Sequence, residues 1–458
     1  MKILNKNPEL QRNLWSEFSM QRLILMPSIA IIILVLITIG ANAYDVIDIL
    51  IMVSYASATV LLMFWGGKVA YDSIISEYNE RTWDWQRMNA LSSKQLLVGK
   101  LFGATAFNWY SGFICLAFWL FFTFFKGEML LEDIVASFLT IVILAIQLMC
   151  GTMIVALLQI RKGSARNRFK SGSIVFLLVL FGFGYISQAI AGIQTQNAYF
   201  DKGFSLQFFQ NAFFTIWAVI GVNQALRHEL NYKNSSKLWY LFLFSSAVFR
   251  GFVMAEQLDD RRNLFFFMLF IFTMQAIFFS YLLLLFESKE PLKFKMLIQK
   301  IKAKDWNYLN YKAPLWSLTF PLIFIGIIST WLAFDLSYFI SKYDLDTMPL
   351  IDDLKGSLTK LDTLAISGAV ILFVLRDFLL MFLISMTSFK KRTNGAFVFY
   401  LFLLYFLIPL LIRDTDGLLP LFIPYIGQGA FMCFLFPLIE VIIVVFLVRY
   451  QLNLRFKR

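Results

Sequence analysis

Histidine occurs once in this 458-residue chain, as His228, and cysteine three times, as Cys115, Cys150 and Cys433. One histidine excludes any multi-histidine metal centre, and His228 reads as an ordinary polar loop residue. The cysteines lie scattered in apolar runs with no CxxC pair. That spacing speaks against a disulfide framework or a thiolate metal site and marks them as small buried residues.

Nucleotide-binding and catalytic signatures are missing as well. The only Gly-Lys pairs are Gly67-Lys68 and Gly99-Lys100, and neither has the upstream glycine or the downstream Ser/Thr of a phosphate-cradling G-x-x-x-x-G-K-[ST] loop. The loops hold no HExxH, GxSxG, Cys/His cluster or paired-carboxylate pattern. The expectation is a chain that is not itself an enzyme and binds no metal or cofactor of its own. Charge is scarce too, at 15% of residues. Soluble domains run nearer one quarter, which excludes an ordinary soluble fold.

What is present is apolar. Hydrophobic residues make up 59% of the chain, aromatics 18%, and the mean hydropathy is +0.70. A bilayer core needs roughly 20 apolar residues of helix. Eight uncharged runs meet that length: Leu23–Tyr44, Leu101–Phe125, Ile134–Ile160, Ser171–Phe200, Gly203–Leu226, Asn263–Phe286, Ala313–Phe334 and Thr393–Ile412. Ile49–Gly67 is slightly shorter. Leu238–Ala255, Thr363–Phe389 and Gly417–Val448 carry internal charges. The fold class expected is an all-α integral membrane protein, a polytopic bundle of about 12 transmembrane helices with short cytoplasmic amphipathic helices.

The net charge of +12 sits in the short loops between these runs, which argues for a membrane protein and against a nucleic-acid partner. With the N-terminus cytoplasmic, inside segments hold 30 Lys/Arg and outside loops hold 8. That imbalance predicts both termini inside an inner, cell membrane. Polar residues fill Met1 to Arg22 with no small-residue cleavage site after them, so no cleavable signal is expected. The expected organisation is an in-plane helix over 1–22, about eight spans over 23–286, a basic cytoplasmic connector over 287–316 and about four spans over 317–458. The last apolar segment, Gly417–Val448, is too long for one straight span. Pro420, Pro424, Gly427 and Gly429 break it, leaving a short re-entrant helix and a final span from about Ala430.

One polar stretch stands between the second and third runs, "SEYNERTWDWQRMNALSSKQLLVGK" (Ser76–Lys100). Ile74, Ile75 and Tyr78, then Trp85, Met88 and Leu91, recur at helical spacing, so residues 74–97 read as an amphipathic helix lying on the membrane. Glu77 and Arg81 are spaced for an i,i+4 pair, and Ser92 for a cap on the following helix. Ahead of the first run, "NPELQRNLWSEF" offers Pro8 as a helix start and Leu10, Leu14, Trp15 and Phe18 as one apolar face.

This order resembles the permease subunits of type-2 ABC exporters. In that family an in-plane helix precedes the first span. The loop after the second reads as an acidic residue, Gly/Arg-Thr, an apolar helix, a Ser/Pro turn and Gly-Lys. Here those positions are Glu77, Glu80, Arg81-Thr82, Trp83 to Leu91, Ser92 and Gly99-Lys100. The resemblance covers about Asn7 to Ala104. It implies a coupling helix in which Glu77, Glu80, Arg81, Trp83, Trp85 and Arg87 meet a separate cytoplasmic ABC ATPase, in two copies. ATP and Mg would then be bound by that subunit, and one chain or a pair of chains would form the pathway. Changes at Glu77, Arg81 or Trp83 would spare the membrane fold. Looser echoes follow in "KAPLWSLTF" (Lys312–Phe320) and in Leu375–Gly395. The competing reading of both elements is ordinary interfacial helices against the lipid bilayer.

Arg250, Arg376, Asp377 and Glu440 fall inside apolar segments. A charge at a helix centre costs roughly 2.5–3.5 kcal/mol on insertion scales, so these groups must pair, line water or reach an interface. One reading is a structural pair of Arg376 with Glu440 or Asp377. Another is a polar path joined by Asn108, Gln147, Gln188, Asn223 and Gln224. An ion-coupled secondary transporter would use Arg376, Asp377 and Glu440 as its relay. A lipid or glycan transferase would instead use acidic residues of the outside loop Asp335 to Asp362.

Overall fold

The computed structural model describes residues 7–40, 46–88, 91–127, 129–161, 206–232, 234–254, 261–286, 291–311, 313–333, 360–386, 393–412, 416–425 and 429–456. The described residues are helical, with no strand among them. Among the described residues, nine helices are long and apolar enough to cross a membrane: Met20–Ile39, Val46–Asn79, Ala106–Lys126, Leu131–Ile160, Phe267–Leu285, Leu315–Leu332, Leu364–Met386, Thr393–Leu411 and Ala430–Leu454. The chain therefore has the character of a multi-pass membrane protein. Each of the nine falls on an expected run. Leu206–Glu229 and Lys237–Met254 are helices at two further expected places but are not among the nine. The expected span Ser171–Phe200 and most of the acidic loop 335–362 lie outside the described residues.

Two compact units divide the chain, Met1–Asn234 and Ser235–Arg458. The first opens with α1 (Pro8–Glu17), capped by the Asn7 side chain accepting from the Leu10 N–H, with Pro8 in its first turn. Then come α2 (Met20–Gly40), and α3 (Val46–Thr59) running through a π-helical turn at Val60–Trp65 into α4 (Gly66–Asn79). After α5 (Trp83–Met88), α6 (Ser93–Val98) begins at a full capping box between Ser92 and Gln95. A second π-helical turn, Gly99–Ala104, leads into α7 (Ala106–Lys126), which Gly127 ends in left-handed conformation. Among the described residues two long helices follow in this unit, α8 (Leu131–Arg161) and α9 (Leu206–Glu229). Inside it α3 packs on α7, α4 on α8, and α8 on α9. His228 sits in the last turn of α9 rather than in a loop.

In the second unit α10 (Lys237–Met254) packs on α11 (Arg261–Phe286). Two short helices follow, α12 (Pro291–Lys302) and α13 (Trp306–Tyr311), ahead of α14 (Leu315–Ala333), which packs on α11. The last elements are α15 (Lys360–Met386), α16 (Thr393–Phe402), a third π-helical turn at Leu403–Leu407, α17 (Ile408–Leu411) and α18 (Ala430–Phe456). Leu284, Leu297, Trp316, Phe378, Met381, Phe382 and Phe397 form its core, and α15 packs along α18. The segment from Gly417 does break. A 3-10 turn spans Asp416–Leu421, and the final helix starts at Ala430, after Gly429 at φ +94°. All three cysteines are free and buried.

Candidate functional site

Each unit buries a cluster of charged side chains, and in each a residue on a π-helical turn completes the cluster. In the first unit that residue is Lys100, only 1% exposed. Its ammonium is paired with the Glu77 carboxylate on α4, lies 3.5 Å from Glu9 Oε1 on α1, and donates to the Ser73 carbonyl at 3.2 Å. Two carboxylates and a carbonyl thus surround the ammonium. Arg12 spans the same two acids, at 2.9 Å from Glu9 Oε1 and 2.7 Å from Glu77 Oε1. Two bases balance two acids, which is what a buried ionic group needs to be tolerated.

Glycine makes this approach possible. A Cβ at Gly99 would sit 2.4 Å from Glu9 Cγ, and one at Gly103 would sit 2.9 Å from Asn13 Cβ. The two glycines, four residues apart, form a notch into which the Glu9, Leu10 and Asn13 side of α1 settles. Asn13 Nδ2 then donates to the Gly99 carbonyl at 3.0 Å, and Asn7 Nδ2 to the Gln95 carbonyl at 2.9 Å. The buried side of α1 is therefore Glu9, Leu10 and Asn13, and Trp15 points outward, 82% exposed. Of the expected apolar face, Leu10 is buried in the notch, Leu14 and Phe18 are half-buried and Trp15 is exposed.

The stretch after Glu77 also departs from the expected single amphipathic helix. α4 stops at Asn79, and Arg81 takes a left-handed φ of +62°. The Arg81 N–H donates to the Tyr78 carbonyl and the Thr82 N–H to the Glu77 carbonyl. This closes a turn and removes the helical register that an i,i+4 pair of Glu77 with Arg81 requires. Glu77 pairs with Arg12 and Lys100 instead.

Of the sequence-predicted contact residues, Glu80, Arg81 and Trp85 are exposed, Trp85 by 72%. Trp83 is not: it is 2% exposed, with its ring 6.0 Å from the Lys100 ammonium. The expectation that Trp83 and Glu77 can be changed without touching packing is corrected accordingly. Gln86 faces inward beside Trp83, and Met88 is 84% exposed. The Arg87 side chain lies outside the described set. Thus α5 is a single short turn of helix, rooted by Trp83 and Gln86 and presenting Trp85 and Met88.

The second unit's cluster lies within its apolar helices. Arg376 Nη1 donates to Glu440 Oε2 at 2.5 Å, joining α15 to α18, and Arg376 Nε donates to Asp377 Oδ1 at 3.0 Å. Asp377 is fully buried and accepts from Tyr281 on α11 at 2.6 Å and from Tyr405 on the π-helical turn at 2.5 Å. The Arg376 guanidinium also stacks over Phe373 and Tyr405, at 4.7 and 5.4 Å from their centroids. The expected structural grouping of Arg376, Asp377 and Glu440 is present.

Sequence reasoning missed Tyr281 and Tyr405. The available signal was a phenol inside an apolar run, since a buried Tyr hydroxyl needs a partner. Arg250 lies on α10. Of the other intramembrane polar groups, Asn108 donates to the Leu61 carbonyl at 3.3 Å and Asn223 accepts from Ser93 at 2.8 Å, so both are used in helix packing. Gln188 lies outside the described residues. No group of three or more His, Cys, Asp or Glu suited to a metal occurs among the described residues.

Set against family models, curated proteins and solved structures, the chain has no match in any of the three comparisons.

Proposed function

We propose that this chain is the membrane-spanning permease subunit of an ATP-driven export system, energised by a separate ABC-type ATPase that docks on α5. One observation carries the reading. A short helix with an exposed Trp85 and Met88 is rooted, through Trp83, against the buried Lys100, which pairs with Glu77 and Glu9, the exposed Arg12 bridging the two acids. That cluster ties α1, the end of α4 and the π-helical turn before α7 into one body. A push on α5 is thereby delivered to the second and third apolar helices rather than absorbed in a loose loop. Exposed aromatic and Met side chains on a rigid base are also what a protein partner uses as an anchor, where one tryptophan can contribute about 2 kcal/mol or more. ATP and Mg belong to the partner in this reading, and the permease supplies the path.

The test is co-purification with the candidate ATPase, together with ATP turnover of the complex. Trp85→Ala with Met88→Ala should weaken ATPase association about thirtyfold or more, from about 2 kcal/mol. The melting temperature of the membrane chain should stay unchanged. If ATPase association is untouched by that pair, α5 is not the docking element. The ion-coupled transporter built on Arg376, Asp377 and Glu440 then becomes the better reading.

A further inference from the structure

The second unit carries a basic surface that the transport reading does not use. Between the apolar helices Phe267–Leu285 and Leu315–Leu332 the chain spends 29 residues. Seven of them are lysines: Lys289, Lys293, Lys295, Lys300, Lys302, Lys304 and Lys312. Here α12 (Pro291–Lys302) is amphipathic. Leu297 packs into the unit's core, while Gln299 and Lys302, roughly opposite on the helix, are exposed. Lys293 and Lys295 stand seven residues, two turns, before Lys300 and Lys302.

A fixed corner follows. Lys300 Nζ donates to Asp305 Oδ2 at 2.8 Å, and Asp305 Oδ1 accepts from the Tyr308 N–H at 3.1 Å, starting α13 (Trp306–Tyr311). The hydrogen bond to Asp305 raises the Lys300 pKa, and the bond from Lys300 lowers that of Asp305, so both stay charged across the physiological range. Lys304 takes φ +51° at the bend. Lys302 and Lys304 are exposed and have no ion pair among the described residues. Around these lysines Met296, Ile301 and Trp306 stand exposed, Trp306 by 73%.

Exposed apolar and aromatic side chains among unpaired lysines do not suit open water. They suit the boundary between headgroups and acyl chains, where Trp sits at headgroup depth and lysines meet phosphate. Chain length keeps the segment there. Only residues 286–290 separate the preceding apolar run from α12, a reach of at most about 18 Å. We propose that α12 and the corner to α13 form a binding surface for anionic phospholipid headgroups, with Lys302 and Lys304 as phosphate contacts and Ile301 and Trp306 seated in the interface. The site is separate from α5 and stands whether or not an ATPase docks there.

The buried native cysteines leave an introduced thiol as the accessible one. Ile301→Cys in the full chain, carrying an environment-sensitive fluorophore, is reconstituted in phosphatidylcholine nanodiscs with and without phosphatidylglycerol. Spin-labelled lipid of each type is the quencher. Labelled phosphatidylglycerol should quench in clear preference to labelled phosphatidylcholine. Each neutralised lysine should lower that preference about fivefold, the equivalent of about 1 kcal/mol. Lys302→Gln with Lys304→Gln, both exposed and unpaired, and high salt on the lysine-intact protein provide two independent losses of charge attraction. Equal quenching by the two lipids, a preference that survives both neutralisation and salt, or no quenching by either lipid would each overturn the proposal. The last result would describe a surface turned to water.

Discussion

Lys100 and Glu77 form a buried ion pair across 23 positions of sequence, and through it the π-helical turn before α7 is fastened to the end of α4. The lysine is buried more completely than most leucines of the same unit. Glu9, Glu77 and the Ser73 carbonyl surround its ammonium. Through Glu9 and Arg12 the same cluster holds α1.

Removal of that lysine should be costly. Lys100→Met leaves Glu9 and Glu77 facing each other with Arg12 alone between them. Breaking one side of a buried pair typically destabilises by about 3–5 kcal/mol. Lys100→Met should therefore lower the melting temperature of the detergent-solubilised protein by several degrees, and a triple variant with Glu9→Gln and Glu77→Gln should recover part of that loss. A single variant that melts like the parent would show that the cluster holds nothing together.

In the second unit Tyr405→Phe should be destabilising even though it deletes one oxygen. It takes from the buried Asp377 one of its donors, at a cost of about 1–3 kcal/mol. Arg376→Met should be worse, because Asp377 and Glu440 both lose their cation. Thermal melts of the two variants and their double combination measure the coupling, and additive losses would contradict a shared network.

Gly99→Ala probes the notch without touching charge. The added methyl meets Glu9 Cγ at 2.4 Å and Glu9 Cβ at 2.9 Å, with the Leu10 backbone nitrogen at 3.1 Å, so α1 as a whole must shift. Overpacking of this kind costs about 1–3 kcal/mol. The expected signature is local: faster limited proteolysis before Met20 with the rest of the chain still protected. Parent-like proteolysis would mean that α1 is not seated by Gly99.

Orientation is tested by thiol labelling. Met88→Cys and Met129→Cys both place the new sulfur at an exposed position, one before α6 and one after α7. Basic residues flank the first far more heavily than the second, so an impermeant reagent applied outside intact cells should modify Met129→Cys and spare Met88→Cys. The opposite pattern would invert the topology and remove α5 from the cytosol.

By itself the sequence determined where the long apolar helices lie and where several helices start or break. Those properties depend on a few neighbouring residues or on the fixed thickness of a bilayer. Pro8 at the start of α1, Ser92 at the cap of α6 and the break before Ala430 all act within one turn, and each was legible as a local pattern. Partnerships were not. Glu77 and Arg81 are correctly spaced for a pair, yet α4 ends between them and Glu77 turns to Arg12 and Lys100, which only packing brings near. Trp83 and Trp85 stand two positions apart on one short helix. One is buried and the other exposed because α5 has a neighbour on one side only, and six residues are too few for periodicity to reveal that side. Arg376, Asp377 and Glu440 announced a buried charge problem, but its solution includes Tyr281 and Tyr405 from two other helices. Local rules place a residue on a helix; which side chains share a low-dielectric interior is decided when helices distant in sequence pack, and there charge compensation outweighs local spacing.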